Sequence, residues 1–198
     1  MKNICCLIGP PGSGKGTNSI FFLEKNAQIK ALRVSIGEEL RKSCAYKSAK
    51  LAPVQKIKKI IEKELGKDHN NFLFDGYPRE KEQLELILNK DLNIIVLNIM
   101  VEDRNLLVDI LSKRYSCHSC GRSNTMSKPC ISCGEKMEQR DDDLDKNKVL
   151  ERLDIYYTNL EEIKTYAKEN NIPFIQIEGQ KESTFNEINQ VLFGFFYH

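Results

Sequence analysis

Ile4-Cys5-Cys6-Leu7-Ile8 runs directly into Gly9-Pro10-Pro11-Gly12-Ser13-Gly14-Lys15-Gly16-Thr17. The first five residues read as a buried strand and the last few as the start of a helix. The glycine-rich turn between them has the character of an anion cradle, because such a loop points several backbone N–H groups inward. Glycine lets the chain turn tightly and bring its backbone close to phosphate oxygens. Lys15 adds a mobile point charge for the outer phosphates. The stretch therefore predicts binding of a nucleoside triphosphate. It matches the pattern G-x4-G-K-[ST] at Gly9, Gly14 and Lys15, with Gly16 next and the hydroxyl one residue late, at Thr17. The competing reading is a glycine-rich turn that holds no ligand.

Outward from this stretch, further apolar runs predict strands at 32–34, 72–74, 94–99 and 174–177, after a first strand at 3–8. Helical patterns fall between them at 17–25, 38–43, 53–65, 80–88, 103–113, about 145–171 and 183–195. Strand and helix in alternation imply a parallel sheet covered on both faces. Ligands of such sheets sit beyond the carboxyl ends of the strands. The glycine loop, Ser35-Ile36-Gly37 and Asp75-Gly76-Tyr77-Pro78-Arg79 all fall there. Residues 35–64 carry one helix more than a simple crossover requires. Residues 115–144 show no helix or strand periodicity. Each reads as a small insertion on the core.

At 198 residues the chain is expected to be one core domain with insertions. With 40% hydrophobic and 29% charged residues, a soluble globular protein is expected. A net charge of +2 gives no electrostatic case for a nucleic-acid or membrane partner. The longest apolar stretches are too short to cross a bilayer, and the N-terminus leads straight into the first strand, so no signal peptide is expected. Seven cysteines include the adjacent Cys5 and Cys6 and the isolated Cys44, which does not resemble a secreted disulfide framework. A cytoplasmic location follows as the expectation, with Cys5 and Cys6 as small packing residues.

Cys117, Cys120, Cys130 and Cys133 form C-x2-C-x9-C-x2-C. Two C-x2-C turns, each followed by glycine, set four thiolates to close a tetrahedron around Zn2+. Four thiolates leave no open coordination position, so the metal would be structural. An insertion of this size cannot bury its own core and gains from such a staple. Iron with the same ligands, redox pairs and unligated thiols are the alternatives. Asp75 ends the apolar run 72–74 and is placed to hold Mg2+, directly or through water; a turn or cap aspartate is the other reading. Arg41, Arg79, Arg114, Arg140 and Arg152 would each be solvated surface residues on most proteins. They gain weight because Arg79 follows Asp75, and Arg114 and Arg140 flank the cysteine module.

Taken together, these residues resemble the adenylate kinase family in its zinc-lid form, across nearly the whole chain. The most specific parts are residues 9–17, Phe72-Leu73-Phe74-Asp75-Gly76-Tyr77-Pro78-Arg79, the cysteine quartet and Gln139-Arg140-Asp141-Asp142-Asp143. The resemblance implies an α/β fold: a five-stranded parallel sheet P-loop core with helices on both faces. The core would comprise 1–34, 65–114 and 145–198, with a shortened monophosphate-binding insertion at 35–64 and a zinc-containing lid at 115–144. It implies reversible Mg2+-dependent phosphoryl transfer from ATP to AMP, giving ADP, by a monomer. Lys15, Arg79, Arg114, Arg140 and Arg152 would be the catalytic residues. Gly12, Ser13, Gly14, Lys15, Gly16, Thr17, Arg114 and Lys181 would bind ATP, with Gly179 beside the base. Ile36, Arg41, Lys50, Leu51, Ala52, Gly76, Tyr77, Pro78, Arg79, Gln83, Arg140 and Arg152 would bind the monophosphate, Gln83 reading its base. The Tyr77-Pro78 bond would be cis. Ile36 stands where the family usually has a threonine, Ile110 where many members have an arginine, and Ser123-Asn124 where an aromatic usually sits. Three rivals remain at this point: a kinase of UMP or CMP, a zinc-ribbon nucleic-acid-binding protein switched by ATP, and an inactive relative kept as a binding protein.

Overall fold

The computed structural model describes residues 1–42, 51–88, 91–126 and 128–197. Lys50 and Cys44 lie outside the described residues. The chain begins with β1 (Lys2–Ile8), α1 (Lys15–Lys25), β2 (Leu32–Ser35), α2 (Ile36–Lys42) and α3 (Val54–Leu65). It continues through β3 (Asn71–Asp75), α4 (Lys81–Glu85), β4 (Leu92–Met100) and α5 (Arg104–Ser112). Then come β5 (Tyr115–Cys117), β6 (Ser123–Asn124), β7 (Met137–Gln139), α6 (Asp141–Leu144), α7 (Lys146–Glu169), β8 (Phe174–Glu178) and α8 (Thr184–Tyr197).

Five strands form one parallel sheet in the order β2-β3-β1-β4-β8, as the alternating pattern predicts. Side chains on a strand alternate between faces, and β1 feeds two core layers. Ile4, Cys6 and Ile8 join Phe72, Phe74 and Val96 beneath Ile57, Leu84 and Ile163 of the helices. Cys5 and Leu7 join Leu73, Leu97 and Ile99 beneath Phe22, Ile188 and Leu192. Each such side chain removed from water contributes about 1.5–3 kcal/mol, which is why the middle strands are continuous apolar runs. Burial pushes the Cys5 and Cys6 thiols well above their ordinary range, as expected of packing residues. No helix among the described residues is long and apolar enough to cross a membrane.

Two elements differ from the sequence reading. The helix expected over 80–88 closes at Glu85, because Leu86, Ile87 and Leu88 donate to carbonyls three residues back and tighten the turn. The segment 115–144, which shows no periodicity, folds into a three-stranded antiparallel sheet in the order β6-β5-β7 and the short α6. Its strands have three, two and three residues, too few for alternation to register. A small core of Cys117, Cys130 and Met137 holds it.

The sheet register lines up the functional edge. Leu7 and Ser35 both pair with Asp75, and Ile8 pairs with Asn98. The loop after β1, the turn into α2 and the turn after β3 therefore leave the sheet side by side.

Candidate functional site

The loop from Gly9 to Lys15 wraps tightly against β4 and α5. A Cβ on Gly9 would lie 2.7 Å from the Ile99 carbonyl and 2.7 Å from Ser13 Oγ, so no side chain fits there. α1 then opens on left-handed Gly14 with no side-chain cap and no acidic residue in its first turn. The positive end of the helix is thus left for an outside anion. Lys15 Nζ folds back over the loop, donating to the Gly9 and Pro10 carbonyls at 2.8 Å each and to Ser13 Oγ at 3.3 Å. Burial pulls its ammonium down to about 7; Asp75 opposes this, and Arg79, Arg114 and Arg152 add to it.

Beside the loop, Asp75 ends β3. Its Oδ2 accepts from Arg33 Nη2 at 2.6 Å, Arg33 Nε at 3.2 Å and Ser19 Oγ at 3.3 Å. Its Oδ1 accepts from none of the described residues. Arg33, within β2, also reaches Glu38 Oε1 at 2.9 Å and Ser19 Oγ at 2.9 Å. A carboxylate with one oxygen held and the other uncommitted suits a single direct or water-mediated cation contact, not a cage of protein ligands.

The turn after β3 carries Arg79. The guanidinium groups of Arg79 and Arg41 converge on Gly37, where a Cβ would meet Arg41 Nη1 at 3.2 Å and Arg79 Nη2 at 3.5 Å. The Tyr77-Pro78 bond is cis, and buried Tyr77 donates its hydroxyl to the Gln83 carbonyl. Buried Gln83 accepts from the Arg79 amide at 3.0 Å and donates to Glu80 Oε1 at 3.0 Å. Its amide already holds the turn together and would have to exchange these bonds to read a base.

Three more arginines close the ring. Arg114 follows α5 and binds Asp143 through two bonds of 2.8 Å. Arg152, on α7, binds the same carboxylate at 2.9 Å and Asp142 at 3.0 Å. Arg140 precedes α6 and donates to Ser116 Oγ at 2.9 Å. Burial pulls Arg114 down to about 10, helped by Arg140 and opposed by Asp143. Burial likewise pulls Arg140 down to about 10, with Arg41 adding to it. Arg41 is lowered by burial and by Arg114 and Arg79, with Asp142 and Glu38 opposing. Lys15 and five arginines from separate elements thus repel one another in a partly desolvated space, a field that favours a multiply charged anion.

The cysteine quartet forms the far end of the small sheet. Its four sulfur atoms all lie within 4.8 Å of one another. Cys117–Cys133 and Cys120–Cys130 separations are both 3.4 Å. Tetrahedral thiolates bound at about 2.3 Å would sit roughly 3.8 Å apart, so the group fits a four-coordinate metal. Backbone N–H groups of Ser132 and then Cys133 bring the Cys130 thiol down to about 6. The first knuckle leans on the core. A Cβ on Gly121, at φ +75°, would fall 2.5 Å from Glu38 Oε1. Arg122 pairs with Glu24 and lies 5.6 Å from the Phe21 ring centre.

Other expected residues stand apart. Ile36 and Ala52 are buried and pack into the core. Leu51 lines a groove of about 770 Å3 along α7, whose lining includes none of the clustered arginines. Thr17 is exposed, and Lys181 pairs with Glu178. Gly76 takes φ +76° beside Arg79. Gly179 abuts Ile99 and Val101, at 2.7 Å from each for a built Cβ. Four participants were missed by the sequence reading: Arg33, Ser19, Glu38 and Gln180, whose amide donates to the Gly12 carbonyl at 3.0 Å. Three of them sit one helical turn or one strand-end away from a recognised motif, and that adjacency was the available signal.

No family model matches the chain. Among curated proteins it is 30% identical to the adenylate kinase of Clostridium tetani (strain Massachusetts / E88), over 94% of this chain and 96% of that protein. It is 32% identical to the adenylate kinase of Thermoanaerobacter sp. (strain X514), with the same shares of 94% and 96%. It is also 32% identical to that of Methanocella arvoryzae (strain DSM 22066 / NBRC 105507 / MRE50), over 89% of this chain and 91% of the relative.

Proposed function

The chain belongs to the adenylate kinase family, and from that premise we propose that it transfers the terminal phosphoryl group of Mg·ATP reversibly to AMP, giving two ADP. The observation that carries this reading is the ring of Lys15, Arg41, Arg79, Arg114, Arg140 and Arg152 around the open end of the phosphate loop. The acceptor is an ionised phosphate, so no general base is needed, and catalysis rests on positioning and charge stabilisation. Lys15 and the loop amides of residues 12–17 hold the donor phosphates. Arg41 and Arg79 grip the acceptor phosphate. Arg114, Arg140 and Arg152 face the oxygens of the group in transit, where a planar fork can bind two oxygens at once. Asp75 would hold Mg2+, directly or through water; the ion when bound supplies charge neutralisation at the outer phosphate oxygens.

In this reading residues 35–64 receive the monophosphate, 115–144 form a lid, and the rest is the core. Cys117, Cys120, Cys130 and Cys133 would hold Zn2+ as a structural ion that keeps the lid stiff while its hinges move. The lid excludes water, the competing acceptor. We assign the protein to the cytoplasm as a monomer, with no nucleic-acid or membrane partner. A second reading, with UMP or CMP as acceptor, is favoured by the buried Ile36 and by the engagement of Gln83 with its own turn.

One assay tests both. ATP is mixed with AMP, UMP or CMP, with and without Mg2+, and diphosphate is measured. ADP from AMP, dependent on Mg2+, is expected. Diphosphate only with UMP or CMP selects the second reading, and none with any acceptor overturns the kinase assignment.

A further inference from the structure

We propose that Arg33 is a built-in counter-cation for Asp75 that sets how strongly the site prefers Mg·ATP over free ATP. This rests on the reading that Asp75 faces the metal-bound donor. The geometry places Arg33, Asp75 and Glu38 in one partly buried cluster. Arg33 Nη2 lies 2.6 Å from Asp75 Oδ2 and 2.9 Å from Glu38 Oε1, and the side chains of Arg33 and Asp75 are only 13% and 7% exposed. The cluster lies against the loop: a Cβ on Gly16 would be 3.5 Å from Asp75 Oδ2 and 3.6 Å from Arg33 Nη2.

The charge balance gives the consequence. Two carboxylates and one guanidinium sum to a single negative charge. Burial disfavours the charged Arg33, but Asp75 and Glu38 outweigh it and raise its pKa, so this compensation holds near neutral pH. All contacts to Asp75 among the described residues fall on Oδ2, which leaves Oδ1 for a cation that must bind beside a fixed positive charge. The guanidinium charge in contact with Oδ2 weakens the pull of this carboxylate on a metal ion by Coulomb repulsion. Arg33 therefore tempers the metal preference that an uncompensated pair of carboxylates would impose. Without it the cluster would carry two negative charges, and ATP lacking a metal would be repelled more strongly than Mg·ATP.

The test uses the whole chain and calorimetric titration with ATP, in magnesium-free buffer and in saturating Mg2+. The readout is the ratio of the two dissociation constants. Arg33→Gln raises the preference for Mg·ATP about tenfold over the wild type. Arg33→Lys, which keeps the charge, stays near the wild type. Glu38→Gln leaves the cluster neutral and lowers the preference several-fold. These opposite signs are not expected of residues that merely support the fold. Arg33→Gln and Glu38→Gln moving the ratio in the same direction, or not at all, overturns the proposal. Should Arg33→Gln not fold, Glu38→Gln decides alone, an unchanged or raised ratio being fatal. A wild-type chain that binds ATP in neither buffer refutes the kinase reading, not the role of Arg33 within it.

Discussion

Lys15 shows how one residue reads out the state of the site. Its folded pKa of about 7 lies below the ordinary 10.5 because it is buried among arginines. Between those values the unfolded chain holds a proton that the folded chain has shed. The contribution of this group to stability therefore rises with pH across that window and is lowest below about 7. Phosphates arriving beside Lys15 reverse the shift. Binding of ATP at pH 8 should take up close to one proton, about 0.9 by the titration arithmetic. Calorimetric enthalpies in buffers of different ionisation heat measure it, and a slope near zero would mean that Lys15 is charged before the ligand arrives. Asp143 makes a second case. It is buried and is the shared anion of Arg114 and Arg152. Asp143→Ala strips the mostly buried Arg114 of this carboxylate and leaves Arg152 with Asp142 alone, and should cost about 3–5 kcal/mol. Urea denaturation checks this, and a loss under about 1 kcal/mol would show that both arginines are effectively solvated. Lys15 was legible from its motif, but the roles of Asp143 and Arg33 cannot be read from residue type alone. Asp143 lies in a run of three aspartates whose motif does not say which of them is buried against arginines, and Arg33 looks like any polar residue of an edge strand. Only their partners, brought close by the fold, distinguish them.

At the scale of elements, legibility follows burial. The central parallel strands were readable because both faces are covered, so they carry apolar runs such as 94–97, while the edge strands β2 and β8 are broken by Arg33 and Gln176. The helix–loop junction at Gly14-Lys15 was readable because backbone geometry restricts the residues it accepts. The lid sheet was not, since strands as short as Ser123–Asn124 carry no period and their stability comes from outside the strands. That outside source is the cysteine quartet, and it makes a prediction. With a core of only three buried residues, the small sheet is expected to need the proposed metal for its stability. A strong chelator should lower the melting temperature by about 5–10 °C, on the scale of a loss of 2–3 kcal/mol in a chain of this size. Activity measured in the cold should decline only slowly, because the ring of arginines contains no thiolate. Immediate and complete inhibition in the cold would assign the metal to the chemistry instead.

Across the whole molecule, the two sheets meet through side chains far apart in sequence. Arg122 of the lid touches Glu24 and Phe21 of α1, and Gly121 touches Glu38. Nearly a hundred residues separate Arg122 from Glu24, so no local pattern could announce the contact. It holds this end of the proposed lid against α1, and Arg140, which precedes α6, is close enough to Arg41 and Arg152 to feel their charge. The seat is weak by design of its parts. Glu24 is half exposed, and exposed ion pairs contribute about 0.2–1 kcal/mol. The Arg122 guanidinium over the Phe21 ring adds about 0.5–1 kcal/mol. Together they favour the seated lid by about 1 kcal/mol, which is about a fivefold bias in population. A bias of that size can be overcome for product release and reinforced by nucleotide binding. Arg122→Ala should therefore speed amide exchange in residues 115–124 about fivefold while leaving β1, β3 and β4 unchanged. Saturating ATP should narrow the difference, since the phosphates then hold the lid through Arg114 and Arg140. Equal exchange in the variant and the wild type would show that the lid is held by other contacts and that Arg122 only decorates the surface.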